Sequence, residues 1–257
     1  MRKNLWWALA FFVALVISAG SALATPSSTF WTPMTLDIQP YGVPHWGVDN
    51  YFTVFRKAKD GAGSFPTDAG LTVGVLPFEK LRMEIGVDLL EASEDPLFLN
   101  LKVGSPEGSL FAGSPALELG IFNAGTKKDV TDQNIVYFVI GKTVPGVGRL
   151  SVGPYSGNSK VLVDARGKKE NDGFMAAFDR GFKPVQGPDG IEFNRFVLAA
   201  DYASGHNLLG GGGLGVYYYF TKDISLLTGP VWFNEEAING KWKWTIQLDI
   251  NGLGFGK

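Results

Sequence analysis

The sequence predicts an all-β fold: an antiparallel, up-and-down transmembrane β-barrel of about twelve strands on an exported chain. Three observations point there. Segment after segment alternates apolar and polar residues at period two, an export signal heads the chain, and aromatic residues gather near the ends of the alternating segments.

Met1-Arg2-Lys3 is a short basic start, Leu5 to Ile17 is nearly all apolar, and Ser21-Ala22-Leu23-Ala24 closes on an Ala-x-Ala pattern. That combination predicts a secretory signal over 1–24, cleaved after Ala24. So short an apolar run argues against an uncleaved membrane anchor, and no later run is long enough for a membrane helix. The 257 residues include no cysteine, which excludes a small disulfide-stapled secreted scaffold. A formal net charge of -2 with no basic stripe argues against a nucleic-acid partner. With 13% aromatic residues, 34 glycines and only 19% charged residues, the apolar surface must enter a sandwich core or face lipid.

Residues 25 to 44, including a short candidate strand "MTLDI", are expected in the periplasm or inserted into a lumen, and the barrel occupies 45–257. Strands are expected at 45–57, 68–76, 80–91, 96–104, 115–123, 134–143, 147–156, 172–182, 193–204, 208–220, 223–233 and 241–251. "LRMEIGVDL" sets Leu81, Met83, Ile85, Val87 and Leu89 against Arg82, Glu84, Gly86 and Asp88. "KWKWTIQLDIN" sets Trp242, Trp244, Ile246, Leu248 and Ile250 against Lys243, Thr245, Gln247, Asp249 and Asn251.

Alternation alone does not separate a sandwich from a membrane barrel, which places its polar face inward. Trp46, Tyr219 with Phe220, Trp232 with Phe233, and Trp242 with Trp244 lie near expected strand ends, as interfacial girdles would. Connection lengths also alternate. Pro77-Phe78-Glu79, Val144-Pro145-Gly146 and Thr221-Lys222-Asp223 are tight, whereas "KAKDGAGSFPTD", "NAGTKKDVTDQN" and "GNSKVLVDARGKKEND" are long and polar. Tight periplasmic turns and long outside loops put both barrel ends on the periplasmic side with an even strand count. Two connections fit poorly, "SGHN" being short and "SPEGSLFAGSP" long for its side, so ten and fourteen strands stay open.

"MRKNLWWALAFFVALVISAGSALA", the hairpin "GVYYYFTKDISLLTGPVWF" and the ending "KWKWTIQLDINGLGFGK" together resemble the porin-like outer-membrane β-barrels of Gram-negative bacteria. The resemblance is one of architecture over the whole mature chain. It implies outer-membrane localisation, contact with outer-membrane lipid, delivery by the barrel-insertion machinery, and passage of small polar solutes or ions; an oligomer is left open. Such barrels commonly end on an aromatic residue, whereas this chain places Phe255 two residues early.

The glycine run of "GGGGLGVYYYF" has neither the following helix nor the Lys-Ser/Thr of a phosphate loop. As a strand it puts Gly211, Gly213 and Gly215 on one face, with Leu214, Val216, Tyr218 and Phe220 toward lipid. No His, Asp and Glu have metal-ligand spacing, and no cofactor is expected; Glu91, Glu94 and Asp95 form an acidic loop tip. Asp201, Ser204 and His206 in "DYASGHNLL" offer a hydrolase alternative, with Ser204 and His206 on one face, but a loop histidine is the commoner explanation and no enzyme is expected. The expected lumen comprises Arg82, Glu84, Asp88, Asn100, Lys102, Glu118, Lys142, Asp179, Arg195, Asp201, Lys243, Gln247 and Asp249. Both signs are present, which suits a narrow passive channel for small polar solutes or ions, or else a plugged structural barrel without conductance.

Overall fold

The computed structural model describes residues 28–252. The signal at 1–24 and the terminal Phe255 lie outside them. Twelve strands close into one antiparallel barrel. They are β1 (Pro44–Phe52), β2 (Thr67–Gly74), β3 (Arg82–Glu91), β4 (Leu97–Ser105), β5 (Ala116–Gly125) and β6 (Asp132–Val144), then β7 (Gly148–Ser156), β8 (Asp172–Gln186), β9 (Glu192–Ala203), β10 (Gly211–Thr221), β11 (Ile224–Phe233) and β12 (Lys243–Asn251). Each pairs with its sequence neighbours, and β1 closes on β12 with His45 opposite Asn251 and Phe52 opposite Trp244. Closure leaves no unpaired strand edge, the condition a sheet must meet in hydrocarbon.

The period-two pattern decides which way each side chain points. On β6, Ile135, Tyr137 and Val139 are buried, whereas Val136, Phe138 and Ile140 are exposed. On β10, Tyr217 and Tyr219 are buried, and Leu214 and Phe220 are exposed. The exposed set continues around the wall through Ile85, Leu119, Val152, Leu198 and Ile246. A soluble sandwich would hide these residues; here they form the outer surface, as in a membrane barrel. Leu214→Arg, at 45% exposure on this belt, is expected to destabilise the barrel by about 2–4 kcal/mol in lipid vesicles, read from the urea dependence of Trp fluorescence.

The aromatic girdle is thinner than the sequence suggests. Trp46, Trp232 and Phe220 face outward, but Tyr219 and Phe233 follow the inward parity and are buried. β1 also stops at Phe52 rather than at 57: Thr53 exchanges bonds with Gly63, and Phe55 takes a positive φ of 63° that a strand cannot hold. β10 starts at Gly211 rather than at 208, because Asn207 Oδ1 accepts from the amides of Leu209 (2.9 Å) and Gly210 (3.0 Å) and turns the chain there. "SGHN" and "SPEGSLFAGSP" do connect strands at the ends where their lengths fit poorly, yet the count remains twelve.

Candidate functional site: an occupied lumen

Residues 29–39 lie inside the barrel. Phe30, Met34, Leu36 and Ile38 are buried there, with Thr29, Thr32, Thr35 and Gln39. This inner segment starts near the long loops, where Trp31 Nε1 donates to Leu209 O at 2.8 Å. It leaves at the end holding the tight turns, where Gly42 N donates to Gly74 O at 2.8 Å. Glycines of the wall make room for it. A Cβ on Gly213 would come within 2.4 Å of Phe30 Cβ, one on Gly141 within 2.0 Å of Leu36 Cδ1, and one on Gly74 within 2.2 Å of Pro40 O. The glycine run of β10 is therefore a seat for Phe30, with small residues where another chain approaches closely.

Polar side chains of the wall hold the same segment. Asp201 Oδ2 accepts from Trp31 N (2.8 Å), Thr32 N (2.6 Å) and Thr32 Oγ1 (2.8 Å), while its Oδ1 accepts from Gly213 N (2.9 Å). Phe30 O accepts from Tyr51 OH (2.8 Å) and Gln247 Nε2 (3.0 Å). Arg149 grips Asp37 with both terminal nitrogens, at 2.9 and 2.5 Å, and reaches Asp179 with Nε at 2.7 Å. Glu84 Oε2 accepts from Gln39 N at 2.7 Å. Lys102 Nζ lies 3.7 Å from both Glu84 and Glu118 and donates to Thr35 Oγ1 at 2.9 Å. Lys102, Glu84 and Glu118 are all at most 3% exposed, so this triad is buried and its charges depend on one another.

Of the residues expected in the lumen, Glu84, Lys102, Glu118, Asp201, Lys243, Gln247 and Asp249 are buried inward. Asp88 and Asn100 are half-buried and joined by a 2.5 Å hydrogen bond, and Asp179 is half-buried beside Arg149. Arg82 is half-buried at the start of β3, its side shared with Glu84. Arg195 sits at the rim and donates to Tyr219 O (2.7 Å) and Phe220 O (2.9 Å). Lys142 is a correction. It shares the outward parity of Val136, Phe138 and Ile140, and its ammonium lies 2.9 Å from Glu107 in the β4–β5 connection. Partial burial raises the Glu107 carboxyl, but hydrogen bonds from Lys142 and Thr143 outweigh it and hold the group below its ordinary value.

Several inward groups were missed: His45, Asp49, Tyr51, Asp68 and Arg149. The signal was present, since "PHWGVDNYF" alternates His45, Gly47, Asp49 and Tyr51 on one face, and "TDAGLTVG" does the same for Asp68, Gly70 and Thr72. The aspartyl, seryl and histidyl groups of "DYASGHNLL" do not assemble. Asp201 is occupied by the inner segment and Gly213 N, Ser204 Oγ accepts from Phe174 N at 2.9 Å, and the exposed His206 imidazole lies 4.0 Å from Glu235. Asp95 of the acidic tip pairs with Lys127 at 2.8 Å. Among the described residues, no group of three or more His, Cys, Asp or Glu is placed to hold a metal ion.

The inner segment is tied chiefly to the β7–β12 wall, and the opposite side of the lumen stays open. A cavity of about 390 Å³ extends from Leu208, Leu209 and Asn239 at the long loops, past Asp49 and Asp68, to His45, Glu84 and Lys102. The last three lie within three residues of the strand ends at the tight-turn side. Gly47, Gly70 and Gly86 line it, so the wall is recessed where β1, β2 and β3 meet.

The fold has solved counterparts. Over 82% of this chain and 99% of the other, the barrel is similar to the KdgM porin, with a TM-score of 0.53 and 7% identity. An outer membrane channel from Pseudomonas putida F1 aligns with 84% of this chain and 98% of its own, at 8% identity and a TM-score of 0.44. A Rh. blastica porin mutant aligns with 91% of this chain and 68% of its own, at 10% identity and a TM-score of 0.42. At 7% identity the likeness to the KdgM porin is one of fold: the chain is a porin-like barrel. No protein-family model and no curated protein matches it.

Proposed function

We propose that the protein is an outer-membrane barrel forming a narrow passive channel for small polar solutes or ions, which run beside the inner segment and not through an empty bore. The single observation that carries this is the cavity left along β1 to β5, lined by Asp49, Asp68 and Asp88 among apolar residues, from the long loops almost to the opposite strand ends. Twelve strands enclose a bore between that of a side-chain-filled small barrel and that of an open porin. One intraluminal segment narrows such a bore without filling it. In this orientation the tight turns are periplasmic and the long loops face outward.

The hydrogen bonds that bind the inner segment to opposing walls favour a second reading, a barrel that is closed at rest. Planar-bilayer recording of the refolded mature protein separates the two. Steady small openings without a triggering step support the channel. Silence from a folded, heat-modifiable barrel supports the closed barrel and sinks the channel.

A further inference from the structure

The charges of the lumen are not mixed evenly. On the open side, Asp49 of β1 and Asp68 of β2 are direct cross-strand partners on the same inward face. Asp88 of β3 stands opposite Gly70, two positions along β2 from Asp68. A Cβ on Gly70 would lie 2.8 Å from Asp88 Oδ1, so that carboxylate rests over β2 on the side of the other two. Like charges placed directly opposite destabilise a sheet.

Among the described residues, none of the three is ion-paired with a cation. Among the described residues, neither Asp49 nor Asp68 receives a hydrogen bond or an ion pair, and Asp68 Oδ1 is buried without a partner. Asp88 accepts only from Asn100. The neighbouring cations are engaged elsewhere: Lys102 lies between Glu84 and Glu118, His45 is 3.4 Å from Asp249, and Lys243 Nζ sits 4.5 Å from the centre of the Phe65 ring. Toward the long loops, the same cavity is walled by Trp31, Tyr51 and Phe65, with Trp31 packed against the other two rings at centroid distances of 5.5 and 5.8 Å. Aromatic faces attract cations and also accept an apolar chain.

We propose that this cavity binds an elongated organic cation, one or more ammonium groups on an aliphatic chain, with Asp49, Asp68 and Asp88 as the anionic wall and Trp31, Tyr51 and Phe65 as the apolar one. The acids do not converge as metal ligands do, which favours a ligand with separated charges over a bare divalent ion. A volume of about 390 Å³ lies within the range of small-molecule sites. As the cargo of a channel this ligand rests on the function proposed above, but its binding does not.

The test is equilibrium titration of refolded, full mature protein in detergent with spermidine, read by Trp fluorescence at constant ionic strength, with triethylene glycol as the uncharged control. A saturable response to spermidine alone is expected, and Asp49→Asn with Asp68→Asn should weaken it by roughly tenfold. The paired substitution relieves a like-charge contact, so the variant barrel is expected to fold at least as well as the parent; Asp88→Asn alone provides a second variant. Absence of a saturable response, or equal affinity in parent and variants with intact heat-modifiable barrels, overturns the proposal. Bilayer conductance of the same samples is scored separately: binding without conductance contradicts the channel alone, and conductance without binding contradicts the cation site alone.

Discussion

Deletion of residues 29–39, with the signal and the barrel kept, is expected to raise single-channel conductance by roughly threefold or more and to weaken its cation preference. The segment contributes Phe30, Met34, Leu36 and Ile38 to the interior, so its removal turns a crevice into a water-filled bore. Water then screens the carboxylates of β1, β2 and β3 from a passing ion. The barrel itself should persist, because the backbone ladder of all twelve strands is closed without the segment. Unchanged conductance, recorded from a barrel of normal heat-modifiability, would mean that the segment does not lie in the conducting path.

Lys102→Met is expected to cost about 3–5 kcal/mol of stability, because it leaves two buried carboxylates facing each other without the ammonium between them. It also removes the donor to Thr35, which loosens the inner segment toward the tight-turn end of the barrel. Urea unfolding in lipid vesicles gives the magnitude. The charge-matched variant Glu84→Gln, Lys102→Met, Glu118→Gln is expected to recover most of the loss; equal instability in both variants would show that packing around the lysine stem, and not its charge, holds the site.

The barrel was legible in the sequence because an apolar outer face and a polar inner face impose period two on strands such as β3 and β12. "LRMEIGVDL" and "KWKWTIQLDIN" need no partner to show which face is which, whereas "IVYFVIG" is apolar on both faces. The strand ends were less legible, since Asn207 and Phe55 act through local backbone geometry that leaves hydropathy unchanged. The inner segment was the hardest part. The alternation of "MTLDI" suggests a short strand, but 34–38 pair with no strand, and the place of "TFWTPMTLDIQP" is fixed by distant groups such as Asp201, Arg149 and Lys102. Reading the thirteen expected lumen residues as a single pool of mixed charge also missed their segregation. That pool includes Lys142, which faces outward, and lacks Asp49 and Asp68, which face inward.

The most direct test of the account uses the absence of native cysteine. Phe30→Cys with Gly213→Cys introduces a disulfide between the inner segment and β10, at a pair where a Cβ on Gly213 lies 2.4 Å from Phe30 Cβ, close enough for a bridge after a shift of about 1 Å. Conductance of one bilayer preparation is then recorded oxidised and reduced. The account predicts that the intramolecular bridge forms and that openings of similar size continue while it is closed, because ions pass on the aspartate-lined side. A bridged barrel that falls silent and conducts again on reduction would contradict it, since conduction would then require the segment to leave the lumen.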